Sequence, residues 1–165
     1  IDISAPMLRY AYARAKSLGC SIHFSQQNAE STNFETASFD LVVSHILLHE
    51  TSSKALTNIF GECFRLLKPG GLMLHLEQRQ HKGMEIFEQF CYDWDTLNNN
   101  EPYWGALHDT DLSQVALEVG FSRGSIIESL EQNMNSPDKL SVEIEQGGDF
   151  KRTAVWSIFG ATKAP

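Results

Sequence analysis

A chain of 165 residues, 42% hydrophobic and 21% charged, is long enough to bury one core and hardly two, and too apolar to stay disordered. With 21 Asp and Glu against 13 Lys and Arg, its net charge of −8 has the wrong sign for a nucleic-acid partner, so none is expected. Cys20, Cys63 and Cys91 form no CxxC pair and their odd number cannot close a fully paired set, which points to a reducing, cytoplasmic setting. No apolar run approaches the roughly 18 residues of a bilayer span and Ile1-Asp2-Ile3-Ser4 is unlike a signal peptide, so no membrane partner is expected either.

In chain order, Ser4 is placed to cap a helix over 5–18, with Met7, Leu8, Ala11, Ala15 and Leu18 at helical spacing and Gly19 as its stop. Ile22 and Phe24 alternate with polar neighbours as a short strand would, and 26–38 is polar enough to be a loop. The apolar centre of Phe39-Asp40-Leu41-Val42-Val43-Ser44 predicts a strand covered on both faces, the mark of a parallel sheet. Thr51, Ser52 and Ser53 offer caps for a helix carrying Leu56, Ile59, Phe60, Cys63 and Leu67 on one face, stopped by Lys68-Pro69-Gly70-Gly71. Leu72, Leu74 and Leu76 then make a strand.

Met84, Phe87, Phe90, Cys91, Trp94 and Leu97 lie at helical spacing among acidic residues, which predicts an amphipathic helix with a solvated acidic face. After a break at 98–102, Leu112, Val115, Ala116 and Val119 mark a further helix ended by Gly120. Two strands are expected over 125–130 and 153–160, separated by a polar segment around 133–139. There is no internal repeat and no shift in composition, so residues 1–165 read as a single α/β domain.

An acid at the end of an early strand and before a helix can accept both ribose hydroxyls of a nucleoside cofactor, and Asp2 sits there, although an acid before a helix is equally an ordinary cap. Asp2-Ile3-Ser4-x-x-Met7-Leu8, Asn28-Ala29-Glu30, Phe39 to Ser44 and Leu66-Leu67-Lys68-Pro69-Gly70-Gly71 occur together in order. In this the chain resembles the class I S-adenosylmethionine-dependent methyltransferases, particularly the small-molecule type. The likeness is close over residues 1–77 and looser to the end, through Val119-Gly120-Phe121.

The resemblance implies a Rossmann-like methyltransferase sheet, mostly parallel with an antiparallel strand near the C-terminus, in the family order 3-2-1-4-5-7-6. It implies S-adenosylmethionine as cofactor and a small-molecule substrate as methyl acceptor. It assigns the ribose to Asp2 and apolar adenosine contacts to Ile3 and Met7. Asn28 stands where an Asp is commoner, keeping an amide oxygen for the adenine amino group without the charge, beside Ala29 on the purine. Ser44 and His45 fall beside the reactive methyl. His49 is the candidate general base, with both histidines simply lining the cleft as the alternative.

The family's opening strand and glycine-rich loop have no counterpart here. No GxGxG occurs, and the chain begins without Met on strand-like residues, so it reads as an N-terminally truncated, partial domain. A substrate-lid insertion is expected near 80–108, where Phe87, Phe90 and Trp94, with Tyr92, Tyr103 and Trp104 nearby, form either helix packing or an aromatic lid. His45-x-x-x-His49-Glu50 is not HExxH and lacks a third ligand, so no metal is expected, and His75 reads as a partly buried structural histidine. The absent central strand would leave unpaired sheet edges, for which a homodimer is one remedy. Two other readings stand beside the methyltransferase: a non-catalytic interaction module with the same fold, and an NAD-dependent dehydrogenase, which leaves Lys68-Pro69-Gly70-Gly71 unexplained.

Overall fold

In the computed structural model, which describes residues 1–78, 80–130 and 156–165, Ser4 caps α1 (Ala5–Ser17), its hydroxyl accepting from the Met7 amide, and Gly19 follows at φ +69°. Ala15 is the buried residue of α1. The expected strand at Ile22 and Phe24 is replaced by an extended segment that meets Asp2 in one parallel bridge at Gln26. That bridge consists of Asp2 N to Ser25 O at 3.3 Å and Gln27 N to Asp2 O at 3.1 Å. Without further neighbours on either side, the ladder does not extend.

Loop 26–38 is pinned to α2 (Ser53–Leu66) by the Glu62 carboxylate, which accepts from Thr32 N at 2.8 Å, Thr32 Oγ1 at 2.6 Å and the Arg65 guanidinium. The Arg65 hydrogen bond is the main reason that Glu62 is held down at about 2. Ser52 caps α2 from its side chain, and the helix buries Leu56, Ile59, Phe60, Cys63 and Leu66.

Strand β1 (Phe39–His45) runs parallel to β2 (Leu67–Gln78). Phe39 pairs with Leu67, but Leu41 already pairs with Leu72. Lys68-Pro69-Gly70-Gly71 therefore bulges out of β2 immediately after α2 ends, with Gly70 at φ +78°. Lys68 closes this end on Asp40, with contacts of 2.8 and 3.0 Å. Strands β3 (Ile126–Leu130) and β4 (Trp156–Thr162) complete a four-stranded sheet of order β1-β2-β4-β3, in which β4 is antiparallel to both neighbours. Three strands thus share one direction and the last opposes them, the second half of the order that the resemblance implied. Residues 153–155 and the polar segment at 133–139 lie outside the described residues.

The core lies on one face of this sheet, where Met73, Phe159 and Ala161 meet α2, with its Phe60, and α5 (Leu112–Val119). Gly120 ends α5 at φ +117°, with the Phe64 ring 3.0 Å from where a Cβ would stand. We expect Gly120→Ala to cost about 1–3 kcal/mol in backbone strain and ring displacement, lowering the melting midpoint by several degrees in thermal denaturation.

The other face of the sheet corrects the expectation of two-sided cover. Leu41 is 51% and Val43 64% exposed, while α2 packs against the Val42 side. The apolar stripe of α3 (Ile86–Asn98) is corrected likewise: Phe87, Phe90, Trp94 and Leu97 all face solvent, and α3 buries no residue. It meets α4 (Trp104–His108), a short helix whose Trp104, Leu107 and His108 are buried.

Candidate active site

The C-terminal ends of β1 and β2 lie side by side, with Ser44 paired to His75 and His45 to Leu76. This end of parallel strands is where open α/β sheets bind ligands. In β2 the buried phase is Met73, His75 and Glu77, whereas Leu72, Leu74 and Leu76 are only half-buried. His75, expected to be partly buried, is fully so. Its ring stacks on Phe60 at 5.1 Å, its Nδ1 lies 2.6 Å from Ser44 Oγ, and burial holds it down at about 4. Ser44 therefore engages a neutral histidine of the sheet.

Beyond β1, a 3₁₀ turn (Leu48–Glu50) carries His49 inward. Its Nδ1 lies 2.6 Å from Glu77 Oε1, while Glu77 Oε2 accepts from the Leu48 amide at 2.8 Å. Both side chains are buried. The Glu77 carboxyl is pushed up by burial, but the His49 hydrogen bond and the amides of Gln78 and Leu48 outweigh this and hold it below its ordinary range. Burial pushes His49 down, and the hydrogen bond and charge of Glu77 outweigh that and raise it. The ring rests near Trp104, with centroids 5.4 Å apart, and Nε2 lies 3.5 Å from Glu50 Oε1. A carboxylate on one imidazole nitrogen fixes the ring and stabilises a proton arriving on the other.

The adenosine candidates form a second group. Asp2 is exposed between its bridge to Gln26 and α1; Oδ1 accepts from the Ser4 amide at 2.6 Å, and Oδ2 has no protein partner among the described residues. Asn28 Oδ1 accepts from the Glu30 amide at 2.9 Å in a local turn, so the oxygen expected for an adenine amino group has one lone pair already engaged. Ile3 and Met7 are exposed apolar side chains, and Ala29 packs against the core beside Val42 and Leu47. His45 is exposed at the end of β1. The bridge brings Asp2 near the segment that leads to Asn28, and the paired strands bring Ser44, His45 and His49 to one end of the sheet. A shallow groove lined by Tyr12, Ala15, Lys16, Cys20, Ile22 and Phe24 carries none of these residues.

Sequence reasoning missed Glu77. The signal was present in His75-x-Glu77, two polar residues in phase along a strand and alternating with Leu72, Leu74 and Leu76.

An acid in a strand-like bridge, a following helix, and parallel strands ending in polar side chains define a Rossmann-like domain. Residues 1–71 match the family model described as a methyltransferase domain. The chain is 36% identical over 122 residues to phosphoethanolamine N-methyltransferase 1 of Arabidopsis thaliana, covering 72% of this chain and 24% of that protein. It is 29% identical over 175 residues to a polyketide synthase-nonribosomal peptide synthetase of Aspergillus clavatus, covering 99% of this chain and 4% of that protein. Among solved structures, an S-adenosylmethionine-dependent methyltransferase from Methanosarcina mazei superposes with a TM-score of 0.65 at 22% identity, over 99% of this chain and 80% of the other. The chain belongs to the class I S-adenosylmethionine-dependent methyltransferases. It spans less than a third of the length of the first curated relatives it matches. No helix among the described residues is long and apolar enough to cross a membrane.

Proposed function

We propose that the domain serves methyl transfer to a small-molecule acceptor, with Asp2 on the ribose, Ile3, Met7, Asn28 and Ala29 around the adenine, and Ser44 and His45 bordering the methyl group. The observation that carries the catalytic part is the buried His49–Glu77 pair at the C-terminal end of the sheet. When bound, S-adenosylmethionine supplies an electrophilic methyl group on a sulfonium. Its adenosine half fits the residues present, since Asp2 keeps one carboxylate oxygen without a protein partner among the described residues. The sequence contains no Gly-x-Gly cradle for the methionine end.

His49 takes the acceptor's proton on Nε2 as the methyl bond forms, and Glu77 holds the ring and balances the new charge. Because Glu77 raises His49, the base is more fully free on the alkaline side of its ordinary value, and rate should climb with pH there. Residues 80–108, with α3 and α4, act as the lid over the acceptor. Phosphoethanolamine, in the name of the plant relative, is a small polar acceptor, and the class of acceptor proposed here is no narrower than that.

A second reading is a non-catalytic module of the same fold. Saturation-transfer NMR with S-adenosylhomocysteine at millimolar concentration separates the two. We expect weak binding that Asp2→Ala lowers at least about tenfold, roughly 1.4 kcal/mol, while Asp40→Ala, at the opposite end of β1, leaves it unchanged. Equal losses in the two variants overturn the ribose assignment, and no transfer at all favours the module.

A further inference from the structure

Residues 80–108 contain a knot of imidazoles that the proposed methyl transfer does not use. The His108 side chain is fully buried and the His81 side chain is 17% exposed, with ring centroids 4.3 Å apart. His81 N donates to His108 O at 3.3 Å, which locks the two backbones together. Among the described residues, His81 Nε2 and both ring nitrogens of His108 are buried without a hydrogen-bond partner. Such groups ordinarily find one, because leaving them unpaired is costly.

Asp93, reaching over from α3, places Oδ1 3.4 Å from His81 Nε2 and 3.7 Å from His108 Nδ1. These separations are too long for good hydrogen bonds. They are close to the edge of a tetrahedron with bonds of about 2.0–2.2 Å, the lengths of zinc–imidazole and zinc–carboxylate bonds. The three donor atoms all lie within 4.8 Å of one another. On the other nitrogen of His81, Asp109 Oδ1 stands 3.8 Å from Nδ1, beyond hydrogen-bond distance.

We propose that His81 Nε2, His108 Nδ1 and Asp93 Oδ1 form a binding site for a divalent transition metal of the zinc class, with water in the fourth position. Two imidazoles and a carboxylate suit zinc or cobalt rather than magnesium or calcium, which take oxygen ligands. The ion joins the segment after β2, α3 and α4 at one point. This gives α3, which buries none of its own side chains, an anchor. The site stands independently of the methyltransferase reading.

The test is titration of the untagged, metal-free chain with Co²⁺, followed by visible absorption, and then displacement by Zn²⁺. One equivalent should bind with the d–d bands of a four-coordinate N/O site, and Zn²⁺ should raise the melting midpoint. Asp93→Asn and His108→Gln should each weaken binding by more than the roughly 10–100-fold that loss of an outer partner costs. Glu50→Gln, at an exposed side chain of the other cluster of His49, Glu50 and Glu101, should leave it unchanged, which separates the two sites. Asp93 is 53% exposed, so its variant keeps the fold even where His108→Gln does not. No saturable binding, or unchanged binding in Asp93→Asn, overturns the proposal.

Discussion

Glu77→Ala is expected to destabilise the chain by about 3–5 kcal/mol, the usual effect of removing one partner from a buried ion pair. The substitution strands more than His49. The Leu48 amide, which donates to Glu77 Oε2 at 2.8 Å, loses its acceptor at a fully buried residue, and an unpaired buried amide alone costs about 1–3 kcal/mol. Glu77→Gln should cost less, because an amide oxygen still accepts from the turn, although it no longer holds the imidazolium.

The pH dependence of this loss follows from the two shifts. The Glu77 carboxyl is lowered in the folded state, so its contribution is present above the ordinary carboxylate range and disappears as pH falls through the lowered value. His49 is raised, so its contribution is complete below the ordinary imidazole value and disappears as pH rises through the raised one. Urea unfolding should therefore show the widest gap between the native chain and Glu77→Ala at roughly pH 5–6, narrowing on both sides. A gap that does not vary with pH would show that the pair carries no charge. Against His49→Ala the two losses should be far from additive, since each variant strands the same partner.

What could be read from the sequence followed how local its cause was. Ser52, the spacing of Leu56, Ile59, Phe60 and Cys63, and Gly120 act within a turn or two, and the helices formed where these residues indicated. Lys68-Pro69-Gly70-Gly71 did end a helix, but the bulge it makes inside β2 depends on the register with β1, a property of two segments 28 residues apart at Asp40 and Lys68. Ile22 and Phe24 alternate well enough, yet a strand needs a neighbour, and a single bridge to Asp2 is all they border. Phe87, Phe90 and Trp94 have the spacing of a buried helix face and none of the burial, because periodicity states which residues lie together and is silent on what covers them. For the site, His49 was legible as a residue near the end of a strand. Its partner was not, since the pairing with Glu77 arises only when β1 and β2 lie parallel and the turn after β1 folds back over β2.

That same uncovered apolar surface leads to the other large expected effect: the chain should associate with a second copy of itself through the open side of its sheet. Leu41 and Val43 on β1 share this face with Leu72, Leu74 and Leu76, their neighbours or near neighbours on β2, and with Ile158 on β4, opposite Leu76. Sheets with parallel strands are ordinarily covered on both faces, whereas Leu41 and Val43 stand exposed on this one. The outer edge of β1 is also unpaired among the described residues, a row of amides and carbonyls ready to accept another strand. Apolar area and open backbone groups lie on one strand, so a second copy satisfies both at once. Light scattering across a concentration series should show the apparent mass rising toward twice that of the chain. Val43→Lys places a charge on a side chain that is 64% exposed, at little cost to the isolated fold. It should nevertheless move the association midpoint at least about tenfold, roughly 1.4 kcal/mol. Ile86→Lys, on α3 and still more exposed to solvent, should leave the midpoint where it was. A cooperatively unfolding monomer at every concentration would mean that the edge of β1 and its apolar face tolerate water, and the dimer would be refuted.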